Sequence, residues 1–314
     1  MEESQAQYTI LRANHQNIHL LSQLFFEAKG INIPTTYLQA KFNTDYTGKT
    51  YFAHFALAED GSPAAFFCLF PCFVEIDGVK LLAGQSADII THPNHQRRGL
   101  FGKLGGITED LAQKEGMNIL FAFPNDNSFP GFFRSLSWHH IGNFQVFTFK
   151  TPSIPVFRIL HKLKLGRLYK LYSSFILRKS ELPNADFKSS NNASNLNSCF
   201  RDAAYFQYKH YNPSFMITWK GMRIWAKIEA QLIIGDIEKN EHFSTNEVIL
   251  KISSLCKKLG LDQFTFEISE QSYWYSQLIK IQPPTIGVPI VYKNLVDPNQ
   301  SLPLAFMSGD ADVF

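Results

Sequence analysis

The sequence predicts an α+β protein: a mixed but mostly antiparallel sheet flanked by helices, present in two copies along 314 residues. Three observations predict it. Three strand-like segments are joined by short turns, a strand–loop–helix–strand order follows directly, and that order returns in the last third of the chain. The length agrees, because a typical domain takes about 150 residues and one core rarely serves twice that.

After Asn14, a residue suited to capping a helix, Ile18, Leu21, Phe25 and Ala28 recur at helical spacing until Gly30 stops the pattern. Residues 50–58 (TYFAHFALA), 64–76 (AAFFCLFPCFVEI) and 80–91 (KLLAGQSADIIT) read as strands. The turn signals Asp60-Gly61 and Asp77-Gly78 between them imply an antiparallel meander. Leu100, Phe101, Leu104, Ile107 and Leu111 then form a helical stripe that ends at Gly116. The buried strand MNILFAF, a short helix over 129–136 and the strand NFQVFTFK complete a first unit, residues 1–150.

Residues 153–180 contain Arg158, Lys162, Lys164, Arg167, Lys170, Arg178 and Lys179 without an acidic residue, interleaved with large apolar side chains. This is the pattern of a basic amphipathic helical segment, which either lies on an anionic membrane surface or packs its apolar side between domains. The second is the expectation. NADFKSSNNASNLNS (184–198) is Asn/Ser-rich and reads as a linker, so 151–198 form a connection and 199–314 a second unit. There the order recurs: strand AQLIIGDI, helix from Val248 to Leu259, stop at Gly260, strand QFTFEI, short helix from Ser272 and strand GVPIVYK.

A 45% hydrophobic content with 29 phenylalanines supplies packed cores and excludes wholesale disorder. A net charge of +3 is far from the balance that would argue for nucleic acid as a partner. The longest uncharged apolar run, Ala64 to Val74, is too short to span a bilayer, and MEESQAQ lacks the parts of a secretory leader, so a cytoplasmic location is expected. Cys68, Cys72, Cys199 and Cys256 form no CxxC pair and have no histidine at ligand spacing, so no metal site is expected and the thiols should be reduced and mostly buried. His139-His140 also lacks a third ligand and reads as a solvated pair.

Between the strand ending at Thr91 and the helix starting near Leu100 the chain reads His92-Pro93-Asn94-His95-Gln96-Arg97-Arg98-Gly99-Leu100-Phe101-Gly102. Unpaired amides at a helix start and the helix dipole favour an anion, and Gly99 removes the Cβ that would obstruct a phosphate. Arg97 and Arg98 add charge-assisted donors.

The Gln-x-x-Gly spacing at Gln96 and Gly99, the preceding His-Pro, the meander before it and the helix and strand after it resemble the GCN5-related N-acetyltransferase (GNAT) superfamily over about residues 8–150. The resemblance implies the acyl-CoA N-acyltransferase fold and a co-substrate that is acetyl-CoA or another acyl-CoA. It implies that Gln96, Arg97, Arg98, Gly99, Leu100, Phe101, Gly102 and Lys103 surround the pyrophosphate and that the backbone of Ile89, Ile90 and Thr91 pairs with the pantetheine arm. It further implies that the strands ILFAF and DIIT splay apart to admit the thioester, with the Ile90 amide donating to the oxyanion. Asn127 looks like the family's asparagine after the fifth strand, and Leu136-Ser137-Trp138 like its Leu-Gly-Phe signature.

Three positions depart from the family pattern. Phe101 takes the second Gly/Ala position, which moves the cradle toward Gly102. Phe133 stands where many relatives carry a tyrosine acid, and a phenyl ring donates no proton. Gln85 stands where some carry a glutamate base, and an amide is no base at neutral pH. Asp88 and His92 are the nearest titratable groups and the remaining catalytic candidates, each with an alternative structural reading. The expected reaction is acyl transfer to a primary amine, an amino sugar nucleotide first among acceptors, bound between an active first unit and a degenerate second one. Fem-type peptidyltransferases also resemble the tandem arrangement, but tRNA would call for a larger basic surface. A non-catalytic acyl-CoA-binding protein is the reading from a different class.

Overall fold

A computed structural model describes residues 7–178, 180, 187–298, 300 and 302–314. They divide into two compact units, the first running to Val74 and adding Lys80–Ile141 and Val288–Ser301, the second made of Glu75–Val79, Gly142–Gly287 and Leu302–Phe314.

In the first unit, strand β1 (Thr9–Arg12) pairs antiparallel with β2 (Phe52–Leu57), and β2 with β3 (Pro63–Ile76). Next comes β4 (Val79–Thr91), entered through Asp77 and Gly78, both at positive φ as a tight hairpin requires. Its other neighbour, β5 (Ile119–Ala122), runs parallel to it. The meander and the parallel step that follows make the sheet mixed, as expected. Strand β3 is buried along nearly its whole length because both faces are covered. Phe67 and Leu69 pack under helices α3 (Leu100–Lys114) and α4 (Phe129–Leu136), whereas Phe66, Cys68 and Phe70 pack under α1 (His19–Lys29) and α2 (Thr35–Phe42).

Two details differ from the expectation. Asn14 does not cap α1: its Oδ1 accepts from the amides of Gln16 and Asn17 at 2.9 and 3.1 Å and closes a turn before the helix, whose capping position is Ile18. Gly30 does end α1, at φ 67°. Strand β1 and helix α2 were not legible, being too short to develop a periodic pattern.

The main run of the second unit starts within β6 (His139–Lys150), whose residues Gln145–Lys150 pair antiparallel with β11 (Gln263–Ile268). Helices α5 (Val156–Lys162) and α6 (Gly166–Leu177) form the basic segment; Lys179 lies outside the described residues. Then follow β7 (Ser198–Cys199), α7 (Ala203–Tyr208) and strands β8 (Ser214–Trp219), β9 (Met222–Ile228) and β10 (Leu232–Ile237). Helix α8 (Thr245–Leu259) leads to β11, parallel to β10, and α9 (Tyr273–Leu278) precedes β12 (Thr285–Asn294). Antiparallel β8–β9–β10 followed by a helix and a parallel strand repeat the order β2–β3–β4–α3–β5.

The division differs from the expected boundary near residue 150. Gln145–Lys150 pair with β11, and Val291–Asn294 pair antiparallel with β5 in the first unit. The expected linker differs too. Residues 184–186 lie outside the described ones, but Ser189, Ser190 and Asn191 are buried, not solvated. Ser190 donates from Oγ (2.6 Å) and its amide (3.1 Å) to Asp236, which also accepts from Arg201 at 2.7 Å. The short polar side chain of Ser190 here satisfies a buried carboxylate, a use that composition alone does not separate from solvation. All four cysteines are buried thiols outside any disulfide. Among the described residues no helix is long and apolar enough to cross a membrane.

Candidate active site

The β4–β5 ladder runs from Ala83↔Ile119 through Gln85↔Phe121 to Ser86↔Ala122 and stops, while β4 continues to Thr91. Just past the last pair, Asp88 adopts φ 50°, a left-handed conformation inside a strand that bends it as a bulge does. Ile89, Ile90 and Thr91 therefore lie beyond the parallel ladder.

Gln85 is 6% exposed and sits within the paired part of the ladder. Asp88 accepts from Lys41 Nζ of α2 at 2.7 Å, and that ammonium also stands 5.0 Å from the Phe70 ring centre. His92 Nδ1 accepts from the Asn94 amide at 3.2 Å while its own amide donates to Ala64 O, which pins the corner. With Nδ1 used as an acceptor, a neutral His92 carries its proton on Nε2 and offers no free lone pair. The sequence-level base candidates are thus a buried amide, an ion-paired carboxylate and a turn-capping imidazole.

After Pro93–His95, a single 3-10 turn, Gln96 is extended, and Arg97 (φ 61°) and Gly99 (φ 72°) both take left-handed conformations that swing the chain into α3. Gly99 occupies the capping position without a side-chain cap, and no acidic residue lies in the first turn. The first amide with an intrahelical partner is that of Lys103, on Gly99 O, so the amides just before it lack the i−4 carbonyl of a helix interior. Gln96, Arg97, Arg98, Gly99 and Lys103 are exposed around this turn. A Cβ on Gly99 would meet nothing within 4 Å. Arg98 Nη1 donates to Tyr8 OH at 3.2 Å, and Tyr8 OH bonds His95 Nδ1 at 2.9 Å. Burial, then Arg98 and His92, hold the His95 imidazolium below its ordinary range, which keeps one more positive charge out of the corner.

Leu100 and Phe101 contribute backbone only to this corner. Leu100 is buried, and the Phe101 ring packs edge-on against Phe67 and Phe132, 5.6 and 5.4 Å between ring centres. Gly102 and Gly105 both face α4. A Cβ on Gly102 would come 2.9 Å from Ser135 Cβ, and one on Gly105 2.7 Å from the Leu136 methyls, so both glycines let α3 approach α4.

Asn127 is exposed after β5, in a turn where Asn125 Oδ1 accepts from the amides of Asn127 and Ser128. Phe133 packs edge-on against Phe129 at 4.7 Å and stands 6.4 Å from the ring of exposed His140. Ser137, at φ 57°, takes the glycine position of the Leu-Gly-Phe signature, and Trp138 Nε1 donates to Glu109 Oε1 at 2.6 Å. Lys41 and Tyr8 had no local sequence signal, since their partners lie 47 and 87–90 residues away.

The corresponding corner of the second unit is closed. At the start of α8, Glu247 Oε2 accepts from the Ser244 amide (2.8 Å) and hydroxyl (2.7 Å), and Ser244 Oγ accepts from the Glu247 amide. The helix start already carries its own carboxylate.

Residues 37–141 match the family model of the acetyltransferase (GNAT) domain. Among solved structures, a GCN5-related N-acetyltransferase from Kribbella flavida aligns over 92% of this chain and 72% of its own at 9% identity, with a TM-score of 0.59. A GCN5-related N-acetyltransferase from Anabaena variabilis ATCC 29413 aligns over 92% and 73% at 12% identity, with a TM-score of 0.54. No curated protein matches the sequence. With its bulged fourth strand, its Gln-x-x-Gly corner and its match over residues 37–141, the first unit of this chain is an acetyltransferase (GNAT) domain.

Proposed function

We propose that the protein transfers an acyl group, acetyl first, from acyl-CoA to a primary amine. One observation carries this reading: an uncapped helix start ringed by Gln96, Arg97, Arg98 and Lys103 follows directly on the strand that outruns its parallel partner. The amides and guanidinium groups suit a pyrophosphate. In this reading the backbone of Ile89–Thr91, beyond the end of the parallel ladder, pairs with the pantetheine arm, and Asn127 and Phe133 contact the coenzyme.

In the reaction the amine nitrogen forms a bond to the thioester carbon, negative charge collects on the carbonyl oxygen, and the C–S bond breaks as the tetrahedral intermediate collapses. The Ile90 amide is the oxyanion donor in this reading. The amine must shed a proton. Gln85 takes none, Asp88 is engaged by Lys41, and His92 Nδ1 is engaged by Asn94, so water is the immediate acceptor. Phe133 donates none, and the departing thiolate takes its proton from solvent.

The acceptor panel begins with amino sugar nucleotides, followed by small amines and peptides. Calorimetry with acetyl-CoA and longer thioesters, then free-thiol release across that panel, tests the proposal. Binding and amine-dependent thiol release are expected. Binding without turnover would leave the acyl-CoA-binding reading that Phe133 and the Lys41–Asp88 pair favour, and failure of every thioester to bind would overturn both.

A further inference from the structure

Helices α5 and α6 present apolar side chains on two faces, and only one of them is covered. In α6 the inner face is Tyr169, Ser173, Ile176 and Leu177, which packs on the second unit's core together with Val156, Phe157 and Leu160 of α5. The outer face is Leu168, Leu171 and Phe175, spaced i, i+3, i+7, with Leu171 69% and Phe175 71% exposed, and Tyr172 stands at its edge, its hydroxyl donating to Lys258 O at 2.6 Å. Ile159 and Leu163 continue it on α5, Leu163 being 60% exposed. This arrangement replaces the expected one, in which a single apolar side is buried between domains. Packing uses one stripe, and a second stripe of large apolar groups remains in water, where such a patch marks a contact surface.

Beside the outer stripe of α6 runs a polar stripe of its own. Arg167, Lys170, Ser174 and Arg178 fall at i, i+3, i+7, i+11, between the outer and inner faces, and Lys162 and Lys164 stand at the corner between the helices. Arg158 pairs with Asp262 at 3.1 Å, but Lys162, Lys164, Arg167, Lys170 and Arg178 form no ion pair among the described residues, and residues 153–178 contain no acid.

We propose that this outer face of α5–α6 seats the protein on an anionic lipid bilayer, apolar side chains inserted at the level of the acyl boundary and the basic stripe on lipid phosphates. The charge distribution selects this occupant. A second copy of the chain would bring another acid-free basic stripe against the first, whereas an anionic surface supplies the missing counter-charge along the whole length. Twelve residues of α6 extend about 18 Å, too short to span, so the helix lies in the interface plane.

The test is co-sedimentation of the full chain with phosphatidylcholine vesicles, with and without phosphatidylglycerol. Partition onto the anionic vesicles about tenfold above neutral ones is expected, falling as salt is raised. Leu171→Ser with Phe175→Ser, and separately Arg167→Glu with Lys170→Glu, should each lower partition by about tenfold. All four side chains are exposed, so the melting temperature should hold and serves as the check on folding. Absent partition, or equal partition onto neutral vesicles, overturns the proposal. So does sedimentation velocity showing a dimer that Leu171→Ser dissolves while vesicles stay unbound. Vesicle binding is independent of acyl transfer, so neither proposal stands or falls with the other.

Discussion

Lys41 Nζ donates to the Asp88 carboxylate at 2.7 Å from a position where the lysine is 2% exposed, tying α2 to the bulge that bends β4. Removing one partner from such a pair leaves a buried charge, at a cost of about 3 kcal/mol. Asp88→Asn should therefore lower stability in urea by about that amount, and Lys41→Met by less, because it removes the buried ammonium itself. If Asp88 were instead the catalytic base, its asparagine variant would lose the acid limb of the pH–rate profile while Lys41→Met kept it. We expect both variants to keep the limb.

The Gly99 corner makes a binding prediction. A side chain there is forced into a left-handed conformation at a strain of about 1–2 kcal/mol, and it would project into open space at the helix start. Gly99→Val should weaken acetyl-CoA binding by more than about tenfold with a smaller loss of stability, and Arg98→Ala by about tenfold through the loss of a charge-assisted donor. Calorimetry decides; unchanged affinity in both variants would move the coenzyme away from this turn.

Gly105 separates packing from binding within the same helix. Its missing Cβ would lie 2.7 Å from the Leu136 methyls, so Gly105→Ala must push α3 away from α4 at about 2 kcal/mol. Its thermal midpoint should fall by several degrees while acetyl-CoA affinity, measured below the transition, stays within about twofold. Wild-type stability in this variant would mean that the helices reseat without cost.

His54 gives the protein an acid-side sensitivity. Thr108 Oγ1 spends its proton on Leu104 O and so accepts from His54 Nδ1 at 2.9 Å, a neutral imidazole in the core. Burial first, then Arg12, hold its pKa below the ordinary 6.5. Below that value the unfolded chain binds the proton more readily than the folded one. Stability is thus fully present above 6.5 and is lost as pH falls through the folded value. His95, lowered for similar reasons, adds in the same direction. Melts between about pH 7.5 and pH 5 should show a falling midpoint, and His54→Gln should flatten the slope; an unaltered slope would remove His54 from the account.

Much of the first unit was readable because its elements are long enough to show their period. The strands at 52–57, 63–76 and 79–91, the helix at 100–114 and the helix at 129–136 follow from alternation, from the 3.6 spacing of Leu100, Leu104 and Leu111, and from Gly stops. Strands β8 and β9 escaped because their turn is Lys220-Gly221: Lys220 takes φ 49°, a conformation that Asn or Asp would have advertised and lysine does not. The phosphate corner was legible as a motif, since Gln96, Gly99 and the two arginines lie within four residues. The state of the proton-transfer candidates was not, because Lys41 and Asn94 reach Asp88 and His92 only in the folded chain.

The sequence by itself determined the α+β class, the duplicated order of elements and the place of the Gln-x-x-Gly corner, all of which rest on local periodicity and turn chemistry. Tertiary structure decided that residues 145–150 pair with β11 and residues 291–294 with β5, that Ser189, Ser190 and Asn191 are buried with Ser190 on Asp236, and that α5 and α6 leave one apolar stripe uncovered. Each of these depends on partners tens to hundreds of residues apart, and strand pairing and burial are settled by which surfaces meet, a quantity that no window along the chain contains.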